Sequence, residues 1–157
     1  ERWERFVRLI PEAERGDLIG AYHKRLFGPS YDEQIRFARA WVSWESGLAA
    51  LDPGPGASRS GSAEYARAFA RLEAHYFVNR GFLAEDGQIL AQMDRIAQIP
   101  GHIVQGRYDL ICPPKSAWAL HKAWPRSEIS IVMGAGHALS EPGISAELVT
   151  VMDRLRD

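Results

Sequence analysis

The run from Ile99 to Pro142, IPGHIVQGRYDLICPPKSAWALHKAWPRSEISIVMGAGHALSEP, constrains the fold more than any other part of the chain. A short apolar run at His102 to Gln105 breaks at Gly106 and puts Asp109 a few residues past the end of a predicted strand. A helical pattern from Lys115 to Trp124 follows. A second run of β-formers, Ile129 to Met133, then breaks at Gly134-Ala135-Gly136 and delivers His137. In a β-α-β unit the right-handed crossover returns the second strand parallel to the first, so both carboxyl ends point the same way. An acid and a histidine are therefore expected at one edge of a parallel sheet, the edge at which open α/β sheets bind ligands.

Ahead of this unit the periodicity is helical and no strand is convincing. Trp3, Phe6, Val7 and Ile10 have helix spacing, Pro11 stops that run, and a second helix is expected over Glu12 to Leu26. A longer helix over Tyr31 to Leu51 puts Ile35, Ala38, Trp41, Trp44 and Leu48 on one face, with Gly28-Pro29-Ser30 as its start signal. Asp52 to Ser62, DPGPGASRSGS, reads as a loop; helix resumes from Glu64 to Val78 and ends at Asn79-Arg80-Gly81. A short helix from Gln88 leads into the β-α-β-α pattern, whose last helix runs from Ile144 to Arg156, with Glu141-Pro142-Gly143 as its start. The expected organisation is an all-helical domain over 1–85 and an α/β domain over 86–157.

Two glutamates break the pattern of the helical half. On a helix advancing about 100 degrees per residue, Glu45 lies about 40 degrees from Trp41, and Glu73 stands in the same relation to Phe69 among Leu72, Tyr76 and Phe77. Burying a carboxylate there is costly without a partner. One reading is a structural salt bridge to Arg67, Arg71 or Arg80. Two such residues on separate helices favour a site for a cation, with Trp and Tyr faces adding attraction.

The segments WVSWESG, ARLEAHYFVNRGF, IPGHIVQGRYDLICPPKSAWALHKAWP and GAGHALSEPGI together resemble the C-terminal half of the proline iminopeptidase (prolyl aminopeptidase) family. These enzymes are α/β-hydrolases with a helical cap, and an acid followed by a histidine ends the Ser, Asp, His series of that superfamily. The resemblance implies a fold made of the C-terminal part of an α/β-hydrolase sheet (β-α-β-α) preceded by an all-helical cap. It matches Asp109 and His137 to the catalytic acid and base, and Glu45 and Glu73 to the cap glutamates that hold the substrate's free α-amine. Trp44, Tyr76 and Phe77 are candidates for an aromatic pocket around the proline ring. Two departures are Gln105, where histidine is expected before GRYD, and Ala74, where asparagine is expected after the cap glutamate.

A G-x-S-x-G nucleophile elbow is missing: Ser58 has Gly56 two residues before it but Ser60 two after, and Ser62 has glycine at neither position. By resemblance the 157 residues are one piece of an enzyme whose other half supplies the nucleophile, and the absent initiator Met fits a mature, trimmed or partial chain. The implied activity is release of N-terminal proline from peptides, with a peptide substrate and the missing half as partners and no metal or cofactor. Alternatives are a non-catalytic fragment, or another cap-bearing hydrolase such as an epoxide hydrolase, dehalogenase or esterase. The last group has no ammonium to hold, so Glu45 and Glu73 argue against it.

Net charge of -1 and a pI near 6.6 give no reason to expect a nucleic acid or a membrane surface as partner. No apolar run approaches a membrane span, the start does not read as a signal peptide, and a single cysteine, Cys112, fits a reducing, cytoplasmic setting. Cys112 is expected to pack as a small hydrophobe, and Trp118 and Trp124 to belong to the core. His23, His75, His102 and His121 lack metal-ligand spacing, although His75 adjoins Glu73.

Overall fold

The computed structural model describes residues 1–51 and 61–156, so the loop expected from Asp52 lies outside the described residues up to position 60. The chain divides into two compact units. Among the described residues the first holds 1–47 and 61–84, and the second 48–51 and 85–156. The short stretch 48–51 thus groups with the C-terminal unit, for a reason given below.

The first unit is helical: α1 (Arg2–Arg8), α2 (Leu18–Leu26), α3 (Tyr31–Ala49, whose last two residues group with the second unit) and α4 (Ala63–Val78). The single helix expected over Glu12 to Leu26 is instead a 3-10 segment, Glu12–Asp17, followed by α2. Asp17 makes the break by capping α2, its carboxylate accepting from the Gly20 amide at 2.9 Å. Ser62 caps α4 in the same way, through the Tyr65 amide at 3.1 Å. The core gathers Phe6, Ile10, Tyr22, Leu26, Phe37, Trp41 and Val42, with Tyr22 stacked on Phe6 at 4.2 Å and its hydroxyl donating to the Phe6 carbonyl at 2.8 Å. That bond satisfies the one polar atom which burying a tyrosine would otherwise leave stranded.

The buried faces differ from those read from the sequence. On α3 the buried row is Gln34, Phe37, Ala38, Trp41 and Val42, whereas Ile35, Trp44 and Leu48 are half-buried. The helix has more apolar positions than one face can bury, and packing against its neighbours selects among them. On α4 only Ala66, Ala70 and Ala74 are buried. This four-residue repeat of methyl groups lets the helix approach α2 closely, and it leaves Leu72, Tyr76 and Phe77 exposed. At the end of α4, Arg80, Gly81 and Phe82 all have positive φ (53°, 63° and 59°) and turn the chain sharply.

The second unit is built on two parallel strands, β1 (Gly101–Gly106) and β2 (Ser127–Val132), in register from Gly101 opposite Ser127 to Gly106 opposite Val132. A four-residue helix α5 (Gln88–Ala91) and a 3-10 segment (Met93–Ile96) precede them; α6 (Pro114–Ala123) is the crossover, and α7 (Pro142–Arg156) packs on both strands. Expected and observed elements agree here to within one or two residues. The small parallel sheet with flanking helices is a partial α/β arrangement. Trp118 is 53% exposed on α6, and Trp124 is half-buried, its indole N–H donating to the Ile99 carbonyl at 2.9 Å. No residue of α6 is buried, which removes Trp118 from the core. Among the described residues no helix is long and apolar enough to cross a membrane.

At the carboxyl ends of the strands two loops touch through glycine. The amides of Arg107 and Tyr108 donate to the carbonyls of Val132 (3.0 Å) and Ala135 (2.9 Å). A Cβ at Gly106 would overlap the Gly136 carbonyl and approach that of Ala135 to 2.8 Å, both of them backbone atoms that cannot rotate away. Gly106→Ala is expected to lower the unfolding free energy of the chain by about 2 kcal/mol, the scale of overpacking. A urea midpoint equal to that of the wild type would refute the close approach.

Candidate active site

Asp109 leaves the end of β1 and is buried, and each of its carboxylate oxygens has a distinct task. Oδ1 accepts from the amides of Ile111 (2.9 Å) and Cys112 (2.8 Å), which closes the loop around it. Oδ2 accepts from the side chain of Gln105 (3.2 Å) and faces Nδ1 of His137 at 3.0 Å. Burial by itself pushes the Asp109 carboxyl up; the Cys112 amide, His137 and the Ile111 amide outweigh it and hold the group below its ordinary value. The acid is thus prepared to stay ionised next to an imidazole. His137 is 38% exposed at its side chain, and Asp109 takes one ring nitrogen, leaving Nε2 for chemistry.

The histidine loop is held from behind. Gly134, with φ of 76°, starts the turn. The amides of His137 and Ala138 both donate to the carbonyl of Ala49, at 2.7 and 2.8 Å. Buried Glu141 accepts from the Gly136 amide at 2.6 Å and from the Leu51 amide at 3.0 Å. The two bonds to Ala49 and the one from Leu51 explain why residues 48–51 group with the second unit. Glu141 and Ala49 escaped the sequence reading because backbone partnership over some ninety positions leaves no periodic signal. In the sequence Gln105 stands out only as a departure from the family pattern.

In the first unit Glu45 and Glu73 meet. Burial, with a hydrogen bond to Glu73 and repulsion from it, pushes the Glu45 carboxyl up from 4.5 to about 8, and only the Trp41 indole works against that. The Trp41 N–H donates to Oε2 of Glu73 at 2.8 Å. Among the described residues neither carboxyl pairs with a lysine or arginine. Arg67 and Arg71, expected as structural partners, instead donate to Oε1 of Gln34 at 2.5 and 3.2 Å. Two half-buried carboxyl groups held against each other make a place where a cation would relieve their repulsion.

The three aromatic candidates have separate places. Phe77 lies 6.0 Å from Trp41, beside the carboxyl pair, while Tyr76 packs on Phe82 at 5.3 Å. Trp44 packs on Trp3 (5.1 Å) and lines an open cavity of about 400 Å³ with Arg2, Arg5 and Arg39. His75 is exposed and bonds back to Asn79. His102 pairs with Glu128 at 2.8 Å, His121 with Ser127 at 2.8 Å, and His23 stacks on Phe27 at 4.4 Å. Cys112 is exposed rather than packed, and its amide donates to Oδ1 of Asp109.

These features define part of an α/β protein that carries an acid and histidine pair at the carboxyl edge of its parallel strands. No family model matches the chain. It is 49% identical over 158 residues to a proline iminopeptidase of Arabidopsis thaliana, covering 99% of this chain and 42% of that protein. Proline iminopeptidases of Xylella fastidiosa (44% over 155 residues) and Neisseria gonorrhoeae (43% over 153 residues) are each matched across 98% of this chain and just under half of their own length. The chain spans about half the length of the curated relatives it matches, and it is similar to the C-terminal half of proline iminopeptidases.

The raised Glu45 carboxyl has a consequence for stability. Its folded value lies above its unfolded value, so the stability it contributes is fully present below pH 4.5 and is lost as pH rises through about 8. Glu45→Gln, which copies the protonated form, is expected to remove this loss. The gap in urea midpoint between variant and wild type should therefore move in favour of the variant from pH 5 to pH 9; a constant gap would show that the carboxyl is not perturbed.

Proposed function

We propose that this chain carries the substrate-amine recognition and the general base of a serine exopeptidase that releases N-terminal proline from peptides, a prolyl aminopeptidase on the α/β-hydrolase fold. The proposed division is a cap over 1–85, which reads the amine, and part of the catalytic core over 86–157. The observation that carries this reading is the Glu45 and Glu73 pair. A hydrolase for neutral substrates gains nothing from two half-buried carboxyl groups with no cation, whereas an aminopeptidase needs them. The curated relatives named as proline iminopeptidases support the same reading.

Each residue has a defined task. Glu45 gives up its proton when a proline ammonium enters, and the two carboxylates then hold a charge that no internal peptide residue possesses, which sets the exopeptidase register. Phe77, exposed and 6.0 Å from Trp41, borders this pair and offers a face to the pyrrolidine ring. His137, fixed through Nδ1 by Asp109, uses Nε2 to take the proton of the attacking serine and later returns one to the leaving amine. Asp109 fixes the tautomer and stabilises the imidazolium. The serine and the oxyanion donors belong to the half of the enzyme outside these residues, and this piece without them is inactive.

In the full-length enzyme, Glu73→Gln is expected to raise KM for prolyl substrates about 10- to 100-fold, the cost of one charge-assisted hydrogen bond, with a smaller change in kcat. The variant keeps an acceptor for the Trp41 indole, so the cap should stay folded. Unchanged kinetics would remove the amine-anchor assignment.

A further inference from the structure

We propose that Gln105 is a positioning residue that tunes the basicity of His137, by donating to the same carboxylate oxygen of Asp109 that His137 engages. The inference rests on the reading of Asp109 and His137 as acid and base, but its primary readout does not require that reading.

Gln105 stands next to last in β1 and is only 8% exposed. Its Nε2 lies 3.2 Å from Oδ2 of Asp109, 3.1 Å from the carbonyl of Gly106 and 3.2 Å from that of Cys112. All three neighbours are acceptors only, so the amide nitrogen and not its oxygen turns inward, where its two hydrogens are shared among them. With the amides of Ile111 and Cys112 on Oδ1 and His137 on Oδ2, Asp109 accepts four hydrogen bonds, about as many as a carboxylate has lone-pair sites.

The electrostatic consequence has a definite sign. A donor on Oδ2 draws negative charge away from the oxygen that faces the imidazole, so an imidazolium is held less firmly there than beside a three-donor Asp109. The other titratable groups nearby do not supply this term. Glu141 is engaged by the Gly136 and Leu51 amides, Cys112 lies on the Asp109 loop, and Arg107 lies 5.9 Å from the Tyr108 ring. Residues 49–51, which pack behind the histidine, carry no titratable side chain. A structural staple alone, joining Gly106 to Cys112, would stiffen the loop without moving the His137 midpoint.

The test is the titration of His137 by NMR in the 157-residue chain, in the wild type and in Gln105→Met, which keeps the length and removes the donor. The midpoint is expected to rise by about 0.5 pH units or more in the variant; an unchanged or lower midpoint overturns the proposal. In the wild type the Gln105 side-chain amide protons are expected to shift at the His137 midpoint. Their silence there overturns it without any variant, which covers a methionine variant that fails to fold. In the full-length enzyme the acid limb of kcat/KM is expected to move upward by the same amount with KM unchanged. A moved NMR midpoint with an unmoved acid limb keeps the positioning role and overturns the assignment of His137 as the base.

Discussion

A carboxylate removed from water must be answered by donors, and the second unit is arranged around the answer given to Asp109. Two donors come from its own loop, one from the strand before it and one from the histidine that follows β2. The last of these depends on the strands running parallel and in register, because Asp109 and His137 are separated by the whole crossover. The sheet contributes very little buried apolar surface of its own: Ala135, Ile144, Val151 and Met93 are the buried hydrophobic residues described in this unit. Its ordering depends heavily on polar contacts of defined geometry.

Those contacts require close approach. Gly106 lets two backbone turns meet where a side chain would separate them, and Glu141 accepts from the Gly136 amide beside the meeting point. A carboxylate accepting amides is a strong and directional solution for a loop without a ladder of its own. It also ties residue 51 to residue 141, so the histidine loop is fixed by a segment remote in sequence. The imidazole is held by its backbone as well as by its acid.

Much of this was legible in the residues. The alternation of β-formers with a helical stretch located β1, α6 and β2, because glycine and proline punctuate each boundary between Ile99 and Pro142. Asp109 and His137 were marked by their position after strand ends, and Glu45 and Glu73 by charge in an apolar setting. What escaped depended on tertiary choice. Composition cannot say which of several apolar rows of α3 is buried, and an alanine row on α4 gives little hydrophobic signal although it is the row that is buried. The capping by Asp17 that splits Glu12 to Leu26 competes with a continuous helix by a margin too small to read from propensity. Cys112 and Trp118 were placed by residue type, and residue type does not decide exposure in a loop or on a crossover helix.

The two carboxyl sites are opposite answers to one problem. Asp109 is buried among donors, and its charge is stabilised before any substrate arrives. Glu45 is half-buried against another carboxyl group, which disfavours its charge. The first environment suits a group that must remain anionic while a neighbouring imidazole gains and loses a proton. The second suits a group that ionises only with its ligand, so that binding an ammonium also relieves the repulsion between the carboxyl groups. A neutral end of a peptide brings no such relief and must pay the desolvation of the pair without return. On the proposed reading, selectivity for a charged amine would follow from the unfavourable state of the unliganded carboxyl pair as much as from the contacts made on binding.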